Sequence, residues 1–123
     1  MSQQTFAIEP IDGAEGAREL ALRGRIYADV APELKRELLR HVEAEGLRSL
    51  VVNARELEQI DSSGLNVFVQ VLKLIRPGGG KIVFYGLNPN IRRVFDITKL
   101  ATVMAVTQTR ADAVAAASVG SSA

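Results

Sequence analysis

Two short runs of the chain, Leu50-Val51-Val52 and Lys81-Ile82-Val83-Phe84-Tyr85, constrain its fold more than any other feature. Both read as strands without the in-out alternation of a half-exposed sheet, so both faces of each must be covered. Stretches with helical spacing lie between and around them. From Ala31 to Glu45, Leu34, Leu38, Leu39 and Val42 fall on one helical face, and Glu33, Lys35, Arg36, Glu37, Arg40 and Glu43 fall on the other. Strands separated by helices call for parallel crossovers, and hence for an α/β sheet.

The remaining elements follow from local chemistry. Phe6-Ala7-Ile8, closed by Pro10 and Asp12-Gly13, predicts an edge strand. Leu20 to Ile26 predicts a second strand, paired with the first as a hairpin. Gly46 ends the first helix. A second helix is expected over about 63–75, ended by Pro77-Gly78-Gly79-Gly80. Asn88 as side-chain cap and Pro89 at the first helical position open a third, with Ile91, Val94 and Phe95 inward. Val103 to Thr107 predicts a last strand and Arg110 to Ala117 a last helix. A single domain over 1–117 is expected, followed by a small, polar, frayed tail over 118–123.

Composition excludes several functions. With Lys+Arg 15 against Asp+Glu 14, no bulk field draws the chain to nucleic acid or an anionic membrane. The absence of Cys removes disulfides, thiolate metal sites and thiol catalysis, and a lone His excludes any site needing two. No metal cluster or cofactor motif is visible. The start, MSQQTFAIEP, has neither basic region nor long apolar stretch, and no run reaches membrane-span length, so a cytoplasmic protein is expected. The glycines before Lys81 fail the phosphate-loop pattern, because Ile75 and Ile82 stand where Gly and Ser or Thr are required. Ser62 and Ser63 lack the flanking glycines of a nucleophile elbow. His41, in a charged helix, reads as a solvated surface residue. No catalytic residue is assigned.

One segment stands apart: Ile60-Asp61-Ser62-Ser63-Gly64-Leu65, between a buried strand and an apolar helix. Its residue chemistry reads first as an ordinary helix start, with Asp and Ser as caps, and second as a phosphoswitch at Ser62 or Ser63. The helix beyond it is apolar around most of its girth, with only Asn66, Gln70 and Lys73 clearly polar. It is therefore either deeply buried or presents a strip to a partner. Asn66, just past the turn, is the better candidate for a partner contact. Tyr27 is either packed or a binding anchor.

From about Leu20 to Val114 the chain resembles the anti-sigma factor antagonists, whose fold is the STAS domain. The resemblance runs through Leu22-Arg23-Gly24-Arg25-Ile26, Leu50-Val51-Val52-Asn53, Leu57 and Ile60 to Leu65. It continues through Gly79-Gly80-Lys81, Leu87-Asn88-Pro89 and Val94 to Leu100. It implies a mixed sheet, with a leading antiparallel hairpin and then alternating strands and helices, and helices packed mainly on one face. It implies no catalytic activity. It implies as partners an anti-sigma factor that is also a serine kinase, which phosphorylates Ser62 and then lets go, and a phosphatase that resets the switch. Asp61 would shape the turn. Ser63 and Gly64 would let the partner approach, with Asn66 and Tyr27 beside them. Many members carry an acidic pair after the glycine of the second strand; here Arg25 and Tyr27 stand there, with Asp29 further on, in a loop expected beside Asp61. The chain is expected to be a monomer or weak dimer. The alternative is a STAS scaffold or ligand module working without phosphorylation, in a larger signalling or transporter assembly.

Overall fold

In the computed structural model, residues 5–117 are described. The strands are β1 (Phe6–Pro10), β2 (Ala17–Ile26), β3 (Ser49–Ile60), β4 (Ile82–Tyr85) and β5 (Ala105–Thr107). The helices are α1 (Ala31–Ala44), α2 (Ser62–Ile75), α3 (Pro89–Ile97) and α4 (Arg110–Ala117). The strands form one sheet in the order β1-β2-β3-β4-β5. β1 and β2 pair antiparallel, and every later neighbour pairs parallel. The expected mixed sheet with a leading hairpin is therefore present. The expected tail over 118–123 lies outside the described residues.

Alternate residues of the central strands serve two cores, which explains the continuous apolar runs. On one face Leu50, Val52, Ile82 and Phe84 pack under α1, α2 and α3. Phe68 of α2, Phe84 of β4 and Phe95 of α3 stack edge to face at its centre, with centroid separations of 5.1 and 4.9 Å. On the other face Val51, Val83 and Tyr85 meet Ala113 and Ala117 of α4. The buried Tyr85 hydroxyl donates to Glu19, whose other oxygen accepts from Arg110 Nε at 2.7 Å, so a polar latch holds α4. Burial first, and then Glu19, push the Tyr85 pKa up to about 12.

Two boundaries differ from expectation. β3 runs to Ile60, well past the apolar run, because beyond Asn53 it pairs with β2 alone. Its outward residues Arg55, Glu56 and Glu58 are exposed, with Glu56 and Glu58 facing Arg23 and Arg25, and so resemble a loop in sequence. β5 is shorter than expected, since a 3-10 turn (Leu100–Thr102) occupies the approach to it. The glycines after α2 form a turn. Gly79 has φ +86°, and a Cβ on Gly80 would lie 2.0 Å from the Arg48 carbonyl oxygen. Among the described residues no helix is long and apolar enough to cross a membrane.

Candidate functional site

α2 begins where β3 delivers the chain beside the end of β2. The register pairs Ile26 with Ile60, and the Asp61 N–H donates to the Ile26 carbonyl at 3.2 Å. Asp61 then leaves the strand with extended backbone, and its Oδ1 accepts from the Gly64 N–H at 3.0 Å. The Asp61 carbonyl takes the Leu65 N–H at 3.0 Å. This arrangement gives the N–H groups of Ser62 and Ser63 no acceptor among the described residues, as the first turn of any helix does. Ser62 is exposed at the first helical position, with its hydroxyl close to the positive end of the helix dipole. Ser63 is half-buried. Asn66, one turn on, is exposed on the same side.

Gly64 takes a different task from the expected one. It is buried, and a Cβ there would sit 2.7 Å from Ile60 Cγ1 and 2.9 Å from the Ile26 carbonyl. Its missing side chain lets α2 close onto β2 and β3, and the space it saves lies inside the protein.

The loop after β2 does neighbour this turn. Tyr27 is half-buried, and its hydroxyl donates to Gln59 Oε1, so the ring is tied to the end of β3. Asp29 is exposed beyond it. Arg25 lies 4.0 Å from Glu58 on the partner strand, both well exposed. Two contacts that local patterns did not flag complete the support. Gln59 holds Tyr27. Asn88 sends its Nδ2 to the Leu57 and Glu58 carbonyls at 3.2 Å each, bracing the outer edge of β3 just before Asp61. Both contacts depend on register between distant segments, which short-range spacing does not reveal.

The apolar girth of α2 resolves mainly as burial. Leu65, Val67, Phe68, Val71, Leu72 and Ile75 are inside, and only Leu74, 53% exposed, stands out. His41 is not the solvated residue expected. It is half-buried, its Nδ1 is sealed without a partner, and its Nε2 lies 3.3 Å from Arg40 Nη2. Burial, and then Arg40, hold its pKa below the usual imidazole value. Among the described residues no group of three His, Asp or Glu converges as a metal would require. What the turn offers is an exposed hydroxyl, two N–H groups with no acceptor among the described residues and one adjacent carboxylate.

Comparison with known proteins agrees. Residues 10–113 match the model of the STAS domain. The Bordetella bronchiseptica protein BtrV is 32% identical over 106 residues, which span 86% of this chain and 90% of that protein. The anti-sigma-B factor antagonist of Staphylococcus aureus is 31% identical over 90 residues, 73% of this chain and 82% of its own length. The anti-sigma factor antagonist SpoIIAA in its unphosphorylated form shares the fold with a TM-score of 0.71 at 14% identity, covering 87% of this chain and 91% of that one. Bacillus SpoIIAA in the phosphorylated form gives 0.71 at 17% identity, covering 90% and 97%. With a capped turn at the head of α2, a mixed five-stranded sheet and a family model spanning residues 10–113, this chain belongs to the STAS domain family.

Proposed function

We propose that this protein is an anti-sigma factor antagonist whose binding is controlled at Ser62. In the unphosphorylated form the head of α2 docks on an anti-sigma factor that is also a serine kinase, and the sigma factor is released. The observation that carries this reading is the exposed Ser62 hydroxyl on a turn fixed from three sides, by Asp61, by Gly64 and by the end of β2. A relative at 31% identity that is itself an anti-sigma factor antagonist supports it, as does a shared fold with a protein that has a phosphorylated form.

In the transfer step Ser62 Oγ attacks the γ-phosphorus of ATP. The bond to the bridging oxygen breaks, ADP leaves, and the hydroxyl proton passes to a base on the kinase. The protein itself supplies position only. The new group, of about −1.5 to −2 charge, sits beside Asp61 and must lose water to enter a closed interface. A hundredfold loss of affinity requires about 2.7 kcal/mol, and burying a phosphate without partners is of that scale or more. Asn66 and Tyr27 flank the contact, and a phosphatase restores the hydroxyl.

Incubation of the full chain with a cognate anti-sigma kinase and ATP should add one phosphate, read by intact mass, and Ser62→Ala should abolish it. Labelling that persists in Ser62→Ala overturns the assignment. A chain that takes no phosphate and purifies as a stable oligomer would be a scaffold instead.

A further inference from the structure

The two edges of the sheet are unequal. β5, at one end, has three residues and follows a 3-10 turn. β1, at the other end, is longer, and its backbone polarity follows from register. Phe6 lies opposite Leu22 and Pro10 opposite Arg18, so Thr5 faces Arg23 and Ile11 faces Ala17. The Arg23 N–H donates to the Thr5 carbonyl at 2.8 Å, and the Ile11 N–H to the Ala17 carbonyl at 3.4 Å. Directly opposite residues that bond in this way alternate with pairs that do not. The odd residues of β1 therefore face β2 with their N–H and C=O groups. Phe6 and Ile8 direct theirs away from the sheet, and Pro10 contributes only a carbonyl there. The side chains of Phe6 and Ile8 pack into the core on the α1 side.

Beside this edge lies a groove of about 560 Å³, bounded by β1 and by α1 with the loop before it. Asp29, Glu33 and Glu37 line it, with Arg40 as the one guanidinium among them. Arg40 is already committed, 3.1 Å from Glu37 and 3.6 Å from Glu45. Among the described residues the exposed carboxylates of Asp29 and Glu33 have no ion pair and no side-chain hydrogen bond. Among the described residues, the groove thus combines strand-edge donors and acceptors that bond no neighbour with two carboxylates that have no ion pair.

From this juxtaposition we infer that the free edge of β1 and the groove beside α1 dock an extended, basic segment of a partner protein, which adds as a further strand. Main-chain bonds at Phe6 and Ile8 hold such a strand, and its alternate side chains fall on the α1 side, where Asp29 and Glu33 take Lys or Arg. A second copy fits poorly. Its β1, FAIEP, brings no cation to Asp29 and Glu33 and adds a glutamate of its own. None of Asp61, Ser62 and Ser63 lines the groove, and the inference stands or falls independently of the switch.

The probe is a capped peptide of sequence Lys-Val-Lys-Val-Lys, titrated into the full chain and followed by backbone amide NMR, with Glu-Val-Glu-Val-Glu as control. The basic peptide should saturate with its largest shifts at Phe6 and Ile8, and the acidic one should not bind. Asp29→Asn with Glu33→Gln, which removes no packing, should weaken binding about tenfold, equivalent to about 1.4 kcal/mol. Ile8→Pro, which deletes an outward N–H, should abolish it, and Ser62→Asp should leave it unchanged. If Ile8→Pro fails to fold, the neutralised pair decides. The inference is overturned by equal binding of both peptides, by saturation with neither, or by shifts centred on α2. Insensitivity to the neutralised pair, or a sedimenting dimer in place of peptide binding, overturns it equally.

Discussion

The chain starts two helices from almost the same recipe and puts them to opposite uses. At the head of α2, Asp61 leaves the strand extended and accepts the Gly64 N–H at 3.0 Å. At the head of α3, Asn88 leaves extended and accepts the Ile91 N–H at 2.9 Å. From there the two diverge. Asn88 has an amide to spare and spends it on the Leu57 and Glu58 carbonyls. Pro89 follows, with no N–H and no hydroxyl. Asp61 has no donor to spare, and the next residue is an exposed serine. The third helical positions are reversed in size as well: Ile91 fills space in the core, whereas Gly64 leaves none to fill. One entrance is a brace and the other an open face, and the brace holds the strand that delivers the open face.

The sharpest way to separate them is to put the same charge on each. Ser62→Asp should weaken binding to the anti-sigma partner about a hundredfold, close to 2.7 kcal/mol by titration calorimetry. Pro89→Asp, at the matched first position of α3, should change it less than about twofold, because that entrance faces β3. Comparable losses at both sites would mean that general negative charge, and not the Ser62 position, governs docking.

Gly64→Ala tests the close seat of α2. The added methyl meets Ile60 and the Ile26 carbonyl inside van der Waals contact. The variant should lose about 2 kcal/mol of unfolding free energy in urea, within the range for overpacking. The alanine preference of helices, worth up to about 1 kcal/mol, works against this loss and does not cancel it. A neutral or stabilised variant would show that α2 does not need glycine to approach β2 and β3.

How far these features were legible depends on how local their causes are. Asn88-Pro89, the apolar stripe of α1 and the glycine turn before β4 each carry their signal within a few residues, and the structure places them as read. The length of β3 was not legible. Arg55, Glu56 and Glu58 look like a loop until β2 is known to lie alongside and to bring Arg23 and Arg25 opposite the two glutamates. The buried role of Gly64 was missed for a related reason, since a glycine after two serines suggests an outward turn, and only the Ile26–Ile60 register reveals what presses on it. Tyr85 read as another apolar strand residue. Its hydroxyl finds Glu19 across the sheet and 66 positions away in sequence, a distance no periodicity covers.

The smallest expected effect bears most directly on the comparison. Asp and Asn cap helices about equally well, so exchanging them isolates what the second atom of each side chain does. Asp61→Asn keeps an oxygen for the Gly64 N–H and should change stability by less than about 0.5 kcal/mol. Asn88→Asp also keeps its cap, but it replaces an amide donor by an oxygen facing two carbonyls, and should cost about 1–2 kcal/mol in urea denaturation. The loss should not stop at α3. With Leu57 and Glu58 released, the β3 segment leading to Asp61 should exchange its amide hydrogens faster, while the start of β3 at Leu50 and Val51, held by β2 and β4, stays protected. If Asn88→Asp leaves exchange around Glu58 and Gln59 unchanged, α3 is only a neighbour of the Ser62 turn. If exchange rises there and nowhere else, the helix that carries no part of the Ser62 turn is what keeps that turn in place.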